Sequence, residues 1–172
     1  KIWFASLGGF LSYYENDQFT VFNQTGMLDR KFITSITEDQ NGNIWFGAYG
    51  GGIFRYDGNE FLNLTSANGL SSNSPLSILA DKNNNIWIGT NKGIDKYDQE
   101  NNTFKNYSEK EGFLGIEPNP NAAWNDNDGN IWFGSIMGAV KFDLGLESQN
   151  KTEALTFIKG LKVEHEIYEF PR

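Results

Sequence analysis

No cysteine occurs in the 172 residues, so disulfides and thiolate metal sites are excluded and the chain must hold its shape by burial and hydrogen bonding. There is a single histidine, His165. That leaves no paired-histidine constellation for a metal, and no serine stands in a Gly-x-Ser-x-Gly setting. No apolar run approaches the roughly 18 residues of a membrane-spanning helix. Cations are scarce: 14 Lys and Arg stand against 22 Asp and Glu, a formal net charge of −8. Such an acidic chain argues against nucleic acid and anionic lipid as partners, and this segment is expected to make no membrane contact. Only four prolines interrupt it.

What the chain does have is aromatics, 15% of all residues, together with 19 glycines. That mixture suits many short strands joined by tight turns. The aromatics are also periodic. Gly42-Asn43-Ile44-Trp45-Phe46-Gly47 returns as Asn85-Ile86-Trp87-Ile88-Gly89 and as Gly129-Asn130-Ile131-Trp132-Phe133-Gly134, and is foreshadowed by Ile2-Trp3-Phe4-Ala5. The tryptophans step by 42, 42 and 45 residues, a period that belongs to propeller blades and similar arrays.

Within the second copy, Phe32–Thr37 reads as an inner strand and Glu38–Asn43 as a hairpin turn. Ile44–Phe46 is a strand apolar on both faces, Gly50–Gly52 a turn, Ile53–Tyr56 a third strand and Phe61–Leu64 a fourth. Four antiparallel strands in about 42 residues make one blade. The third strand ends in a basic residue, an aromatic and an aspartate in three copies: Arg55-Tyr56-Asp57, Lys96-Tyr97-Asp98 and Lys141-Phe142-Asp143. A glycine with an apolar residue leaves each blade at Gly26-Met27, Gly69-Leu70 and Gly112-Phe113. The expected fold is therefore all-β, about 3.5–4 blades of four-stranded antiparallel sheet. The repeats span about 1–30, 31–73, 74–120 and 121–143. The first copy lacks its inner strand, and Leu155–Ile158 is a candidate for the outer strand of the fourth. Lys1 falls directly on a repeat core, which is expected of a segment of a larger propeller.

These landmarks resemble the two-component regulator propeller repeat: an aspartate, a Gly-Asn turn, an apolar-Trp-apolar-Gly strand, a Gly-Gly turn and an apolar-basic-aromatic-Asp strand. Asp39 to Asp57 carries the full pattern, and the stretches from Asp81 and Asp126 repeat its first half. The Gly-His and Trp-Asp pairs of WD40 blades are missing. The resemblance implies the extracytoplasmic, periplasmic sensor region of a bacterial two-component histidine kinase anchored in the inner membrane, often a hybrid kinase controlling polysaccharide use. It also implies that 144–172 is an outer strand or linker leading to an immunoglobulin-like domain.

Trp3, Trp45, Trp87 and Trp132 recur at one strand position and are expected between blades, not on a sugar. Trp124 stands where the other copies have Thr37 and Leu79, so repetition does not require it. Asp126-Asn127-Asp128-Gly129-Asn130 fails the calcium-loop pattern, because Trp124 falls on the first ligand position, and reads as a hairpin turn. Neither metal nor cofactor is expected. Glu109 and Glu111 read as a solvated loop. The expected ligand face carries the second-to-third-strand turns and the blade-connecting loops. Its candidate binding residues are Tyr49, Arg30, Lys31, Asn73, Asn91, Lys92, Asn119 and Trp124, where amides and cations meet hydroxyls or carboxylates and aromatics stack. The expected partner is an oligosaccharide or other small soluble ligand. Open blade edges also predict self-association, since uncovered apolar sheet faces and unpaired edges invite a second chain. An interaction or dimerisation scaffold, and less favourably a propeller lyase using His165, are the competing functions.

Overall fold

The computed structural model describes residues 1–6, 8, 10–22, 28, 31–108, 117–147, 160–163 and 166–169. Four antiparallel sheets follow one another along the chain. Blade 1 holds β1 (Ile2–Ala5), β2 (Leu11–Glu15) and β3 (Gln18–Phe22); blade 2 holds β4 (Ile33–Glu38), β5 (Ile44–Ala48), β6 (Gly52–Tyr56) and β7 (Phe61–Leu64). Blade 3 holds β8 (Pro75–Ala80), β9 (Ile86–Thr90), β10 (Gly93–Asp98) and β11 (Thr103–Tyr107), and blade 4 holds β12 (Pro118–Asn125), β13 (Ile131–Ser135) and β14 (Gly138–Phe142). One helical turn, α1 (Leu144–Glu147), opens the stretch expected to be an outer strand or linker. Farther on, β15 (Gly160–Val163) and β16 (Glu166–Glu169) pair with each other as a hairpin and make a sheet of their own. The proposed outer strand at 155–158, the exit pairs Gly26-Met27 and Gly112-Phe113, Glu109, Glu111 and His165 lie outside the described residues.

The blades stack through three apolar layers. Trp3 and Phe22 of blade 1 meet Ile44, Phe46, Phe54 and Phe61 of blade 2. Trp45, Ile53 and Leu64 meet Ile78, Ile86, Ile88 and Tyr97 of blade 3. Trp87, Ile94 and Tyr107 meet Ile131, Phe133 and Phe142 of blade 4. Trp45 and Trp87 are fully buried, and every residue of β5 and β9 is buried on both faces, as their unbroken apolar runs require.

The basic-aromatic pair of the third strand now has a mechanical meaning. Arg55, Lys96 and Lys141 stand directly opposite the tryptophan of their own blade. Each cation lies over that indole, at 6.0, 5.3 and 5.9 Å from the ring centre. The next residue points to the other flank and packs on the preceding blade's tryptophan: Tyr56 on Trp3 at 6.0 Å, Tyr97 on Trp45 at 5.8 Å and Phe142 on Trp87 at 4.8 Å. Alternation along a strand sends neighbours to opposite faces, so one dipeptide serves two interfaces.

The inner strands β4, β8 and β12 lie side by side toward the axis and are cross-linked. The Thr34 hydroxyl donates to the Pro75 carbonyl at 2.9 Å, the Ile78 amide donates to Ser35 Oγ at 3.1 Å, and the Asn125 carboxamide donates to the Ala80 carbonyl at 2.7 Å. The glycine that closes each apolar-Trp-apolar-Gly strand makes room for a neighbour. A Cβ on Gly47 would come within 3.0 Å of Pro75, and one on Gly89 within 2.8 Å of Pro118.

The two terminal faces differ from the inner ones. Trp132 remains 36% exposed and Trp124, directly opposite it, 69% exposed, because no described element covers that flank of blade 4. On the outer flank of blade 1, Ile2, Phe4, Phe19 and Val21 are likewise exposed. Burial of the repeated tryptophan thus holds inside the stack and lapses at its end.

Candidate functional site

The strands alternate in direction, so each blade has two rims. One carries the second-to-third-strand turns and the connections to the next blade. Here the structure gathers three of the sequence candidates around a single turn, Ala48–Gly52. Tyr49 projects from it, 56% exposed, while its backbone amide donates to the Phe32 carbonyl at 2.8 Å. The Lys31 stem lies against Gly51, and the Asn73 carbonyl accepts from the Gly52 amide at 2.9 Å. Asn73 also accepts from the Ser66 amide through Oδ1 at 2.7 Å, so part of its side chain is engaged in shaping the loop. Asn91 and Lys92 sit exposed on the corresponding turn of blade 3, and Asn119 is exposed on β12. Arg30 lies outside the described residues. Trp124 does not join this set. It stands near the far end of β12, one residue from the turn of the opposite rim, and its indole faces out from the sheet flank beside Trp132.

Behind the same rim a carboxylate is buried. Asp95 is fully covered and accepts from the Ser71 hydroxyl at 2.5 Å, the Ser71 amide at 3.2 Å and the Asn106 carboxamide at 3.0 Å. Burial pushes its pKa up, against the pull of those hydrogen bonds and of Lys92. The position is special to blade 3, since its equivalents in blades 2 and 4 are Phe54 and Val140.

The opposite rim is built on a clamp that recurs three times. In blade 2 the Asp39 carboxylate accepts the backbone amides of Asn41 and Asn43 on one oxygen, at 2.9 and 3.0 Å. Its other oxygen accepts Asn43 Nδ2 at 2.9 Å and the Trp45 indole N–H at 2.8 Å. Asp81 holds Asn85 and Trp87 in the same way, and Asp126 holds Asn130 and Trp132, both with indole bonds of 2.8 Å. Desolvation draws the Asp39 pKa upward, but the bonds from Asn43 and Trp45 outweigh it and hold the group below its ordinary value. The indole of Trp132 and the carboxamide of Asn130 likewise hold Asp126 well below it. With both oxygens of Asp126 committed to N–H donors, the Asp-Asn-Asp-Gly stretch is turn chemistry, as its sequence suggests.

Between these turns run inter-blade grooves. The one joining blades 2 and 3 encloses about 630 Å³, within the roughly 300–1,000 Å³ typical of small-ligand sites, and is lined by polar side chains alone. Asn41 and Arg55 form one wall; Asn83, Asn84, Lys96, Asp98 and Glu100 form the other. Gln99 closes the floor, donating to Asn84 O at 2.6 Å and to Asp39 Oδ2 at 3.2 Å. The groove joining blades 1 and 2 is smaller, about 270 Å³, and lined by the aromatics Trp3, Tyr13, Phe22 and Tyr56 together with the charged Lys1, Glu38 and Asp57. Sequence reasoning placed no candidate on this rim. The available signal was comparison of the copies with one another: Asn84 occupies the place of Gly42 and Gly129, and Gln99 that of Gly58.

Comparison with known proteins agrees with this architecture. The family model for the two component regulator propeller matches residues 27–50 and 69–92. The chain is similar to the extracellular domain of the hybrid two component system BT3049 from B. thetaiotaomicron, at 26% identity and a TM-score of 0.75 over 87% of this chain and 21% of that one. It is also similar to the extracellular domain of BT4673 from the same organism, at 26% identity and a TM-score of 0.67 over 83% of this chain and 21% of that one. The chain therefore spans about a fifth of these domains. Virginiamycin B lyase from Staphylococcus aureus shares the fold, at 18% identity and a TM-score of 0.60 over 81% of this chain and 50% of that one. No curated protein matches.

Proposed function

We propose, from the two matches to the two component regulator propeller model and the likeness to extracellular domains of hybrid two component systems, that the chain is part of the ligand-sensing, extracytoplasmic region of a two-component receptor. The observation that carries the reading is the likeness, across most of the chain, to the extracellular domains of hybrid two-component systems. The proposed stimulus is a soluble oligosaccharide or comparable small molecule in the periplasm. The parent is then a histidine kinase of the inner membrane, with 144–172 leading toward an immunoglobulin-like domain. The segment contributes binding, not chemistry: a ligand that favours one packing of the blades against their neighbours shifts a rigid-body equilibrium. Thermal denaturation in the presence of a panel of soluble oligosaccharides tests this, because ligand binding to the folded state raises the melting point by mass action. A flat response to every glycan would count against it.

A second reading, an interaction scaffold, is favoured by the uncovered outer flanks. The Trp124–Trp132 flank of blade 4 presents the chemistry that Trp45 and Trp87 present inside the stack. The Ile2–Phe4–Tyr14–Phe19 flank of blade 1 occupies the positions by which Ile44, Phe46, Tyr56 and Phe61 receive Trp3. The occupant this pairing suits is a second copy of the chain, docked head to tail. Light scattering that finds a monomer at every accessible concentration would remove it.

A further inference from the structure

We infer that the groove between blades 2 and 3 on the clamp-bearing rim is a binding site for a neutral, hydroxyl-rich molecule of one or two sugar rings. The inference rests on the sensor reading and gives it a place, on the rim opposite the sequence candidates. Two departures from the repeat converge there. The β4–β5 and β12–β13 turns put glycine at their left-handed position, Gly42 at φ 80° and Gly129 at φ 82°, whereas blade 3 puts Asn84 there at φ 64°. Asparagine tolerates this conformation but glycine takes it without steric cost. What Asn84 gains is a carboxamide on the groove wall, its Oδ1 accepting from the Gln40 amide at 2.9 Å and so joining the turns of the two blades. Gln99, in place of Gly58, supplies the floor. At the junction of blades 1 and 2, where both positions are glycine, the groove is smaller and its walls are aromatic rings and charged groups with no carboxamide.

The lining selects the ligand. The carboxamides of Asn41 and Asn83 are exposed and make no hydrogen bond among the described residues. Each offers a donor and an acceptor side by side, the arrangement that matches adjacent hydroxyls. Arg55 and Lys96 balance Asp98 and Glu100, so the groove carries no net charge to attract an ion. Asp98 stays anionic, because the Asn101 carboxamide and the backbone amides of its turn hold its pKa low. A small anion would meet two carboxylates on a chain of net charge −8, and an apolar ligand would strip polar walls of water without replacing their bonds.

The test is titration of the whole chain with glucose, galactose, mannose, xylose, cellobiose and maltose, read by tryptophan fluorescence, since Trp45 and Trp87 lie beneath Arg55 and Lys96. At least one sugar should bind. The double variant Asn41→Ala/Asn83→Ala should melt as the wild type does without sugar, yet bind that sugar at least tenfold more weakly. Asn84→Gly, which restores the residue of the other blades, should lose binding as well. If a neutral sugar binds equally well to all three proteins, the groove is overturned and the sensor reading stands. If only acidic oligosaccharides bind, the ligand class is overturned and the sensor reading again stands. If no glycan of any kind binds, both fall.

Discussion

Each inner tryptophan is held at both ends, its ring by the next blade and its N–H by an aspartate six residues earlier. Asp81 is fully buried with Trp87, so Asp81→Ala leaves a buried indole donor and two turn amides without an acceptor. The expected loss is about 3 kcal/mol, from an unsatisfied buried donor together with the lost bonds, measured by chemical denaturation. Asp126→Ala should cost less, since water reaches Trp132. Two serines at equivalent positions make an opposite pair. Ser35 Oγ is bonded to Ile78 of the neighbouring blade, whereas Ser77 Oγ is buried with no partner among the described residues. Ser35→Ala should therefore destabilise, while Ser77→Ala should be neutral or stabilising by up to about 1 kcal/mol.

Asp95 gives a signed pH effect. Its pKa is raised from 3.8, so the folded chain binds that proton more tightly than the unfolded one. Its stabilising contribution is complete below pH 3.8 and is lost as pH rises through the raised value. Asp95→Asn removes this slope, and denaturant midpoints of wild type and variant should diverge progressively between acid and neutral pH, the wild type losing ground as pH rises. Parallel midpoints would show that the site does not titrate in this way.

At the scale of the strand, the apolar-Trp-apolar-Gly unit is a packing device. Its glycine keeps the second strand's flank low enough for the proline that opens the next blade's inner strand. In Gly89→Ala the new Cβ would meet Ser77 Oγ and would lie 2.8 Å from Pro118, so the substitution should cost about 2 kcal/mol through overpacking. Gly134→Ala on blade 4 meets only Ala122, at 3.3 Å, and should cost well under half as much. Equal losses would mean that backbone freedom, not the neighbouring proline, decides the residue. The strand boundaries, the hairpin turns and the three-stranded first blade were legible because they depend on local turn chemistry and on alternation. The aspartate clamp was visible only as a recurring letter. Its partner, an indole N–H, is six residues away and comes within reach only once the hairpin closes.

At the scale of the whole segment, the uncovered outer flanks give the proposed self-association a direct test. Exposed Trp124 and Trp132 at one end and Ile2, Phe4 and Phe19 at the other should drive head-to-tail association that grows with concentration. Trp124→Lys and Phe19→Lys, on opposite flanks, should each return the chain to a monomer by light scattering with the fold intact. Association that survives both changes would place the contact elsewhere.

The 42-residue period, the order of strands and the interior place of Trp45 and Trp87 were determined by the sequence alone, since each follows from local propensity and from runs too apolar to face water. Only the tertiary structure decided which tryptophan is left uncovered, that Trp124 leaves the loop face, and that Asn84 and Gln99 meet in one groove. Those outcomes depend on neighbours such as Gln40 and Asn84, or Asp39 and Gln99, 44 and 60 residues apart in the chain and brought together by the stacking of whole blades.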